Sequence, residues 1–277
     1  MPCPLCGEYG TDVTDTGTLW VRLYASPRPL TDGGCLMGRR LLSVVPMVLA
    51  VLVVGGVTLA LSACGGGGGG CQKQAKGCSL PEEEKALRPG GEYRTEEFKP
   101  SFSFRVGKDW SMETDPPEAP NELEITWRKG TMNLFFMNIQ EVYEPTKTGT
   151  SSLVQAPKDM VAWFQHHPYL KTSKLKPVTI GGVKGEQFDV VVDVPKDYSG
   201  VCGTGGCLDI VALGEFTAST GIPLAFAEGV KERVIVLDDV KGETVTIDFG
   251  AGAPGTKFDE YAPEGQKLVD SIKWTGS

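Results

Sequence analysis

Leu175-Lys176-Pro177-Val178-Thr179-Ile180-Gly181-Gly182-Val183 is the clearest structural signal in the chain. Residues 175–180 and 183–194 carry β-branched and aromatic residues that alternate with polar ones, which is typical of strands. The glycine pair between them suits a two-residue turn, because such turns need positive φ angles. We therefore predict a β-hairpin here.

Further strand pairs are predicted on both sides of this hairpin. They comprise 123–127 with 132–142 and 233–237 with 244–249, and single strands are predicted near 98–106, 208–213 and 223–227. A helix is predicted over 157–167, and helical turns over 258–269 are expected to break at Pro263. Because the strands and helices do not alternate regularly, the fold class is α+β with a mostly antiparallel sheet.

The order of these features resembles the Mog/PsbP-like fold. The resemblance rests on the helix, on Val178-Thr179-Ile180-Gly181-Gly182 with Gly185 following, on the last hairpin, and on Ser271-Ile272-Lys273-Trp274 near the C-terminus. It covers residues 97–275. It implies an antiparallel sheet sandwiched by helices, in a group that includes uncharacterised bacterial lipoproteins. It also implies a non-enzymatic module that docks on a partner or ligand.

An export segment precedes this region. Met37-Gly38-Arg39-Arg40 is followed by an uncharged run over 41–61 and by Leu61-Ser62-Ala63-Cys64. A basic start, an apolar middle and small residues at the end define a signal peptide. The last four residues resemble the lipobox of bacterial lipoproteins. The resemblance implies cleavage between Ala63 and Cys64, a diacylglycerol on the Cys64 sulfur, and a further acyl chain such as palmitate.

The same run also allows an uncut anchor, because about 20 apolar residues suffice to span a bilayer. Arg39 and Arg40 lie on its N-terminal side and favour the cytoplasm. Both interpretations therefore place the C-terminal region on the extracytoplasmic face of the cell membrane. A single-pass, signal-anchored structural protein is the alternative to the lipoprotein.

Four segments follow from this organisation. They are 1–36, a mis-assigned start or disordered segment; 37–63, the signal peptide; 64–91, a glycine-rich tether; and 92–277, the globular domain. Cys3-Pro4-Leu5-Cys6 supplies two possible zinc ligands, with Cys35 as a possible third. A structural zinc site needs four ligands, so half a motif is weak support for metal binding.

The charge and the cysteines limit the possible functions. The net charge is −8, and residues 1–64 contribute four basic and four acidic side chains to it. An acidic domain without a basic cluster argues against binding to nucleic acid. Beyond Cys64, four cysteines in an oxidising compartment suggest the disulfides Cys71–Cys78 and Cys202–Cys207.

The loop from Cys202 to Cys207 supports an alternative function, that of a thiol/disulfide-active or other enzyme. Its four-residue spacer differs from the two-residue spacer of redox motifs, which favours a structural disulfide. The glycines between the two cysteines expose backbone N–H groups that could receive an anion or a partner's carbonyl group.

Other candidate chemistry is weak. His166 and His167 are adjacent and point in different directions on a helix, so they do not form a metal pair. Asp109, Asp238 and Asp239 lack the spacing of a calcium loop. Trp110, Trp127, Phe135, Phe136 and Trp163 are expected in the core, with Phe135 and Phe136 on opposite sheet faces. No catalytic, cofactor-binding or metal-binding residue is assigned.

The sequence therefore predicts a lipid-anchored extracytoplasmic lipoprotein that is not an enzyme. Its domain is expected to bind an envelope protein or a small ligand. The membrane is a partner only through the lipid anchor.

Overall fold

A computed structural model describes most of the chain from residue 78 onward. The described residues are 78–81, 86–112, 118–128, 130–146, 152–200, 203–204, 206–212, 223–251 and 256–275. The predicted segments 1–36 and 37–63 and the lipobox lie outside them. No helix within these ranges is both long and apolar enough to cross a membrane.

The described residues form nineteen strands and two helices. The strands are β1 Cys78–Ser79, β2 Glu92–Arg94, β3 Phe102–Arg105, β4 Trp110–Ser111, β5 Glu118–Ala119, β6 Glu122–Trp127, β7 Met132–Met137, β8 Glu141–Tyr143, β9 Leu153–Gln155, β10 Leu170–Thr172, β11 Lys176–Ile180, β12 Val183–Val192, β13 Ser199–Gly200, β14 Gly203–Thr204, β15 Cys207–Ala212, β16 Pro223–Ala227, β17 Lys231–Val240, β18 Glu243–Ala251 and β19 Lys273–Trp274. The helices are α1 Met160–His166 and α2 Phe258–Val269.

A nine-stranded antiparallel sheet forms the centre, with the strand order β10-β12-β17-β18-β7-β6-β4. Strand β11 pairs with β12 and β5 pairs with β6. The predicted hairpins β11–β12, β6–β7 and β17–β18 are confirmed. The predicted strand 132–142 is wrong in length, because β7 ends at Met137 and β8 pairs in another sheet with β15.

One face of the central sheet packs against α2 and a four-stranded sheet of order β1-β2-β3-β19. We call this the α2-side core. Phe136, Ile247 and Phe249 of the central sheet are fully buried in it. Tyr261 and Leu268 of α2 close it from the other side.

The opposite face packs against α1 and a four-stranded sheet of order β16-β15-β8-β9, which forms the α1-side core. Phe188 and Val234 contribute from the central sheet, and Phe164 contributes from α1. Each face is therefore covered by one helix and one small sheet. The expectation of a sheet sandwiched by helices is wrong in this respect, since most of the covering layer is itself strand.

Both helices differ from their predicted bounds. Helix α1 begins at Met160 rather than at Pro157, because the Asp159 carboxylate accepts the Ala162 N–H at 2.8 Å and caps the first turn. Helix α2 runs through Pro263 without a break. Pro263 is the sixth of twelve helical residues, so α2 loses the hydrogen bond that its N–H would have donated, and burial of Tyr261 and Leu268 offsets that loss.

The domain begins earlier than Glu92. Cys78 and Ser79 pair in parallel with Tyr93 and Arg94, and Leu87 is buried in the α2-side core. Part of the predicted tether over 64–91 is therefore structured. Its six consecutive glycines lie outside the described residues.

The Gly181-Gly182 turn docks against the C-terminal strand. Gly181 has φ +57° and Gly182 has φ +87°, as a two-residue hairpin turn of this hand requires. The Trp274 indole N–H donates to the Ile180 carbonyl oxygen at 3.0 Å. A Cβ on Gly181 would lie 2.7 Å from Trp274 Cδ1, whereas a Cβ on Gly182 would meet nothing within 4 Å.

These two glycines make a matched pair of substitutions. Gly182→Ala should cost about 1 kcal/mol, the ordinary penalty for a side chain in the left-handed region. Gly181→Ala should cost about 3 kcal/mol, because overlap with the indole adds to that penalty. Urea unfolding of both variants measures the difference. Equal losses would contradict the docking of Trp274 on this turn.

Candidate functional site

Four acidic side chains lie on the α1-side face of the central sheet. They are Glu122, Glu124, Glu232 and Asp248, which we call the carboxyl cluster. Asp248 lies directly opposite Val234 of β17 and Phe135 of β7, and Phe135 lies opposite Glu124 of β6. Opposite residues in a ladder share a face, so the register places Asp248 and Glu124 beside the α1-side core.

Glu232 and Asp248 are in contact across β17 and β18. Their side chains share a hydrogen bond. Glu232 is 6% exposed and Asp248 is 2% exposed. Gly250 makes room for this pair, because a Cβ there would lie 2.7 Å from Glu232 Cδ. A hydrogen bond between two carboxyl groups requires a proton on one of them, so the pair shares a proton.

Burial raises the pKa of both members. For Glu232 the loss of water is the largest cause, followed by the Asp248 charge and the hydrogen bond to Asp248. For Asp248 burial also raises the pKa, and the hydrogen bond from Glu232 opposes it in part. Burial and the Glu124 charge raise the pKa of Glu122 to about 7. The cluster therefore holds protons at a pH where surface carboxyl groups have lost them.

Three buried oxygen atoms on this face of the sheet have no hydrogen-bond partner among the described residues. They are Asp248 Oδ1, Thr246 Oγ1 and Asn133 Oδ1. Thr246 precedes Asp248 by two residues on β18 and so shares its face, and its side chain is 1% exposed. Asn133 lies opposite Gly250 on β7. Buried polar atoms almost always have partners, so each of these three atoms is an exception to that rule.

On the other face of the sheet, by contrast, a carboxylate is paired with two cations. Arg233 Nε and Lys231 Nζ each lie 2.8 Å from a carboxylate oxygen of Asp189. Hydrogen bonds and charge from Arg233 and Lys231 outweigh the effect of burial and lower the pKa of Asp189. Asp189 is thus a neutralised carboxylate, whereas no ion pair with Lys or Arg reaches Glu232 or Asp248 among the described residues.

His167 lies at the end of α1 among aromatic rings. It is 5% exposed and contacts Trp163 and Tyr169. Its Nδ1 accepts the Tyr169 N–H at 3.3 Å, and Nε2 has no partner. Burial lowers its pKa to about 4, so the ring is neutral near pH 7. The prediction of a packed histidine is confirmed, and His166 is exposed.

Only one cysteine of each predicted disulfide lies among the described residues. Cys78 and Cys207 do not carry free thiols. Cys71 and Cys202 lie outside the described residues, so both pairings stay predictions, and so does a redox role for the loop. Cys64 also lies outside, together with Cys3, Cys6 and Cys35.

The remaining candidates have structural positions. Within the described residues, no group of three or more His, Cys, Asp or Glu side chains could hold a metal ion. Asp109 lies 3.8 Å from Arg128, and Asp239 caps the Lys241-Gly242 turn. The aromatic residues are buried or packed on the two cores, with Phe136 and Phe135 on opposite faces as predicted. Trp110 and Trp127 belong to the α2-side core, and Trp163 packs against the α1-side core.

Comparisons with known proteins give distant likenesses only. No protein-family model matches the chain, and no curated protein matches it. A Bacteroides thetaiotaomicron structure has a TM-score of 0.30 at 10% identity, covering 64% of this chain and 46% of that one. PsbP of the cyanobacterium Synechocystis has a TM-score of 0.33 at 9% identity, covering 68% of this chain and 95% of that one. The chain thus matches less than half of the Bacteroides protein, and likenesses this distant carry no argument about function.

The carboxyl cluster was not predicted from sequence. Glu124 and Thr126 alternate with Leu123 and Ile125, and such alternation is the ordinary sign of a solvated outer face. The run Thr244-Val245-Thr246-Ile247-Asp248 alternates in the same way, so the sequence alone gives no signal that Asp248 is buried.

Replacing one member of the pair tests its shared proton. A carboxyl group whose folded pKa is raised binds its proton more tightly in the native state. Stability therefore falls as the pH rises above the unfolded pKa of about 4. Glu232→Gln should melt higher than the wild type at pH 8, by about 2–4 °C per kcal/mol relieved, and the gain should shrink toward pH 4.

The matched control is Asp238→Asn, which removes an exposed carboxylate from the same strand. Because Asp238 is exposed, its replacement should change the melting temperature only slightly. A pH-independent effect of Glu232→Gln would contradict the raised pKa of the pair.

Proposed function

We propose that this protein is a lipid-anchored extracytoplasmic lipoprotein whose domain binds a small ligand without catalysing a reaction. The observation that carries the ligand-binding role is that strand β18 buries two oxygen atoms, Asp248 Oδ1 and Thr246 Oγ1, without partners among the described residues. Asp248 Oδ1 and Thr246 Oγ1 belong to side chains that are almost fully buried. Leaving such atoms unpaired costs about 1–3 kcal/mol each, and a bound ligand can recover that free energy.

The burial of these atoms favours a small ligand over a protein partner. A docking protein contacts exposed side chains, and residues that are 1–2% exposed do not reach its surface. A ligand that reaches them has to be small enough to be enclosed beside the α1-side core. The sequence left both kinds of partner open, and the position of Thr246 and Asp248 supports the ligand.

The proposed localisation at the membrane rests on the sequence. Leu61-Ser62-Ala63-Cys64 follows an uncharged apolar run with Arg39 and Arg40 before it. Two acyl chains on Cys64 would hold the protein stably, because one chain alone gives only marginal membrane binding. The Mog/PsbP-like resemblance is consistent with such a lipoprotein and is part of the same proposal.

Cys64→Ser tests the anchor. In a bacterial host the wild-type protein should partition into the membrane fraction, with an intact mass of the chain from residue 64 plus a diacylglycerol and an acyl chain. The variant should lose the lipid mass and remain uncut. Cys71→Ser is the control and should behave as the wild type. An uncut, lipid-free wild type that stays in the membrane would favour the signal-anchored alternative instead.

Thermal shift tests the ligand-binding role. Full-length protein in detergent is melted against a library of small polar metabolites. A ligand at 100 times its Kd adds about 2.7 kcal/mol, which raises Tm by about 5–10 °C in a domain of this size.

Thr246→Val keeps the side-chain shape and removes the hydroxyl group, so the shift should shrink. Thr179→Val, on an exposed position of β11, should leave the shift unchanged. The proposal fails if no compound raises Tm, or if both valine variants respond as the wild type does.

A further inference from the structure

We infer that one edge of the central sheet lies on the anionic headgroups of the membrane that holds the protein. This edge comprises residues 170–184, which include β10 and β11, and we call it the lysine edge. It contains four lysines and no acidic residue, in a chain whose net charge is −8. The inference rests on the proposed localisation only for the nearness of a membrane, which the signal-anchored alternative supplies as well.

The strand pairing places the lysines along one edge. Strands β10 and β11 both pair with β12 on the side away from β17, so neither has an outer neighbour among the described strands. Lys171 lies opposite Val191 of β12. Lys184 precedes Val191 by seven residues on that strand, so the lysine edge extends over about 24 Å. Lys176 lies on the α2-side face and Lys184 on the α1-side face, so positive charges flank the edge on both faces.

Three of the four lysines are available to an external anion. Lys174, Lys176 and Lys184 are exposed and form no ion pair with another residue that the structure describes. Lys171 is paired with Asp193, with 2.5 Å between the charged atoms. Unpaired positive charges spread over such a length suit an extended anionic surface.

The other carboxylates of β12 do not cancel this positive charge. Asp189 is already paired with Lys231 and Arg233. Glu186 is partly buried, and one of its carboxylate oxygen atoms is enclosed. The outer rim of the sheet therefore keeps an excess of positive charge.

An exposed leucine lies between two of the lysines. Leu175 is 41% exposed and is one of two large hydrophobic side chains that the described residues leave exposed. Lysines on an edge strand also prevent pairing with another chain, but an exposed leucine works against that role. An apolar side chain between cations suits the boundary of headgroups and acyl chains, where apolar burial and attraction to anionic lipid act together.

The chain length allows this edge to reach the bilayer. Cys78 follows the proposed lipid site Cys64 by fourteen residues, which span at most about 48 Å. Strand β11 ends at Ile180, whose carbonyl oxygen accepts the Trp274 indole N–H. Trp274 belongs to β19, which lies three strand spacings, or about 14 Å, from β1. The chain therefore enters the domain close to one end of the lysine edge.

Lysine labelling tests the inference on the membrane-anchored protein itself. The protein is purified with its anchor and placed in vesicles of phosphatidylcholine, alone or with about 30% phosphatidylglycerol. An uncharged acetylating ester modifies accessible lysines, and mass spectrometry gives the rate at each position. Acetylation of Lys174, Lys176 and Lys184 should be about fivefold slower on the anionic vesicles, because each lysine near such a surface favours contact by about that factor. About 1 M salt should remove the difference.

Lys108 is the internal control. It is exposed and precedes β4, which lies at the opposite end of the strand order of the central sheet. Its acetylation rate should be the same on both kinds of vesicle. Equal rates on the two vesicles for the lysines of the edge would overturn the inference, and so would an equal slowing at Lys108.

Charge reversal on the edge gives a second test. Lys174→Glu combined with Lys176→Glu should return Lys184 to its rate on phosphatidylcholine vesicles, whereas Lys108→Glu should leave Lys184 slow. Leu175→Ser should restore part of the rate, because it removes the apolar contact. These are exposed side chains, so melting temperatures should stay close to that of the wild type. A Lys184 that stays slow in the double variant would contradict the inference.

The outcomes distinguish this inference from the proposed function. A lipid-bearing protein whose edge lysines react equally on both vesicles keeps its anchor and refutes the docking of the edge. Slow labelling in an uncut, lipid-free protein supports the docking and refutes the lipoprotein. Slow labelling in native membranes but not in vesicles would point to a protein partner and overturn the inference.

Discussion

Close packing at two glycines is the constraint on which the central sheet depends. At Gly181 the β11–β12 turn lies against the Trp274 indole ring, and at Gly185 a Cβ would overlap the Val236 carbonyl oxygen. Neither position has room for a side chain. Because Gly185 lies in β12 and Val236 in β17, this contact fixes the register of the sheet, and the Trp274 contact joins the C-terminal strand to it.

The elements that could be predicted from sequence are those set by local chemistry. The turns at Gly181-Gly182 and Lys241-Gly242 need positive φ angles and have flanking alternation, so both hairpins were predictable. The covering layers were not, because the small sheets form from short strands that are remote in sequence. The carboxyl cluster could not be predicted either, because burial of Glu124 and Asp248 depends on the layers that cover the sheet.

The two faces of β17 handle negative charge in opposite ways. On the α2 side, Arg233 and Lys231 neutralise Asp189. On the α1 side, Glu232 and Asp248 share a hydrogen bond and a proton, and no Lys or Arg of the described residues pairs with them. The first arrangement is complete within the protein and reads as structural. The second leaves buried oxygen atoms without partners, and such incompleteness marks a site where a ligand can contribute binding energy.

The first and last of the described strands lie in one sheet, and this has a consequence for engineering. Ser79, Arg94, Ser103 and Lys273 form a single row across β1, β2, β3 and β19. Three strand spacings separate the row's ends, which is about 14 Å. Some five linking residues could bridge that gap. A circularly permuted chain, opened at the exposed Lys241-Gly242 turn, could therefore keep every strand in its place.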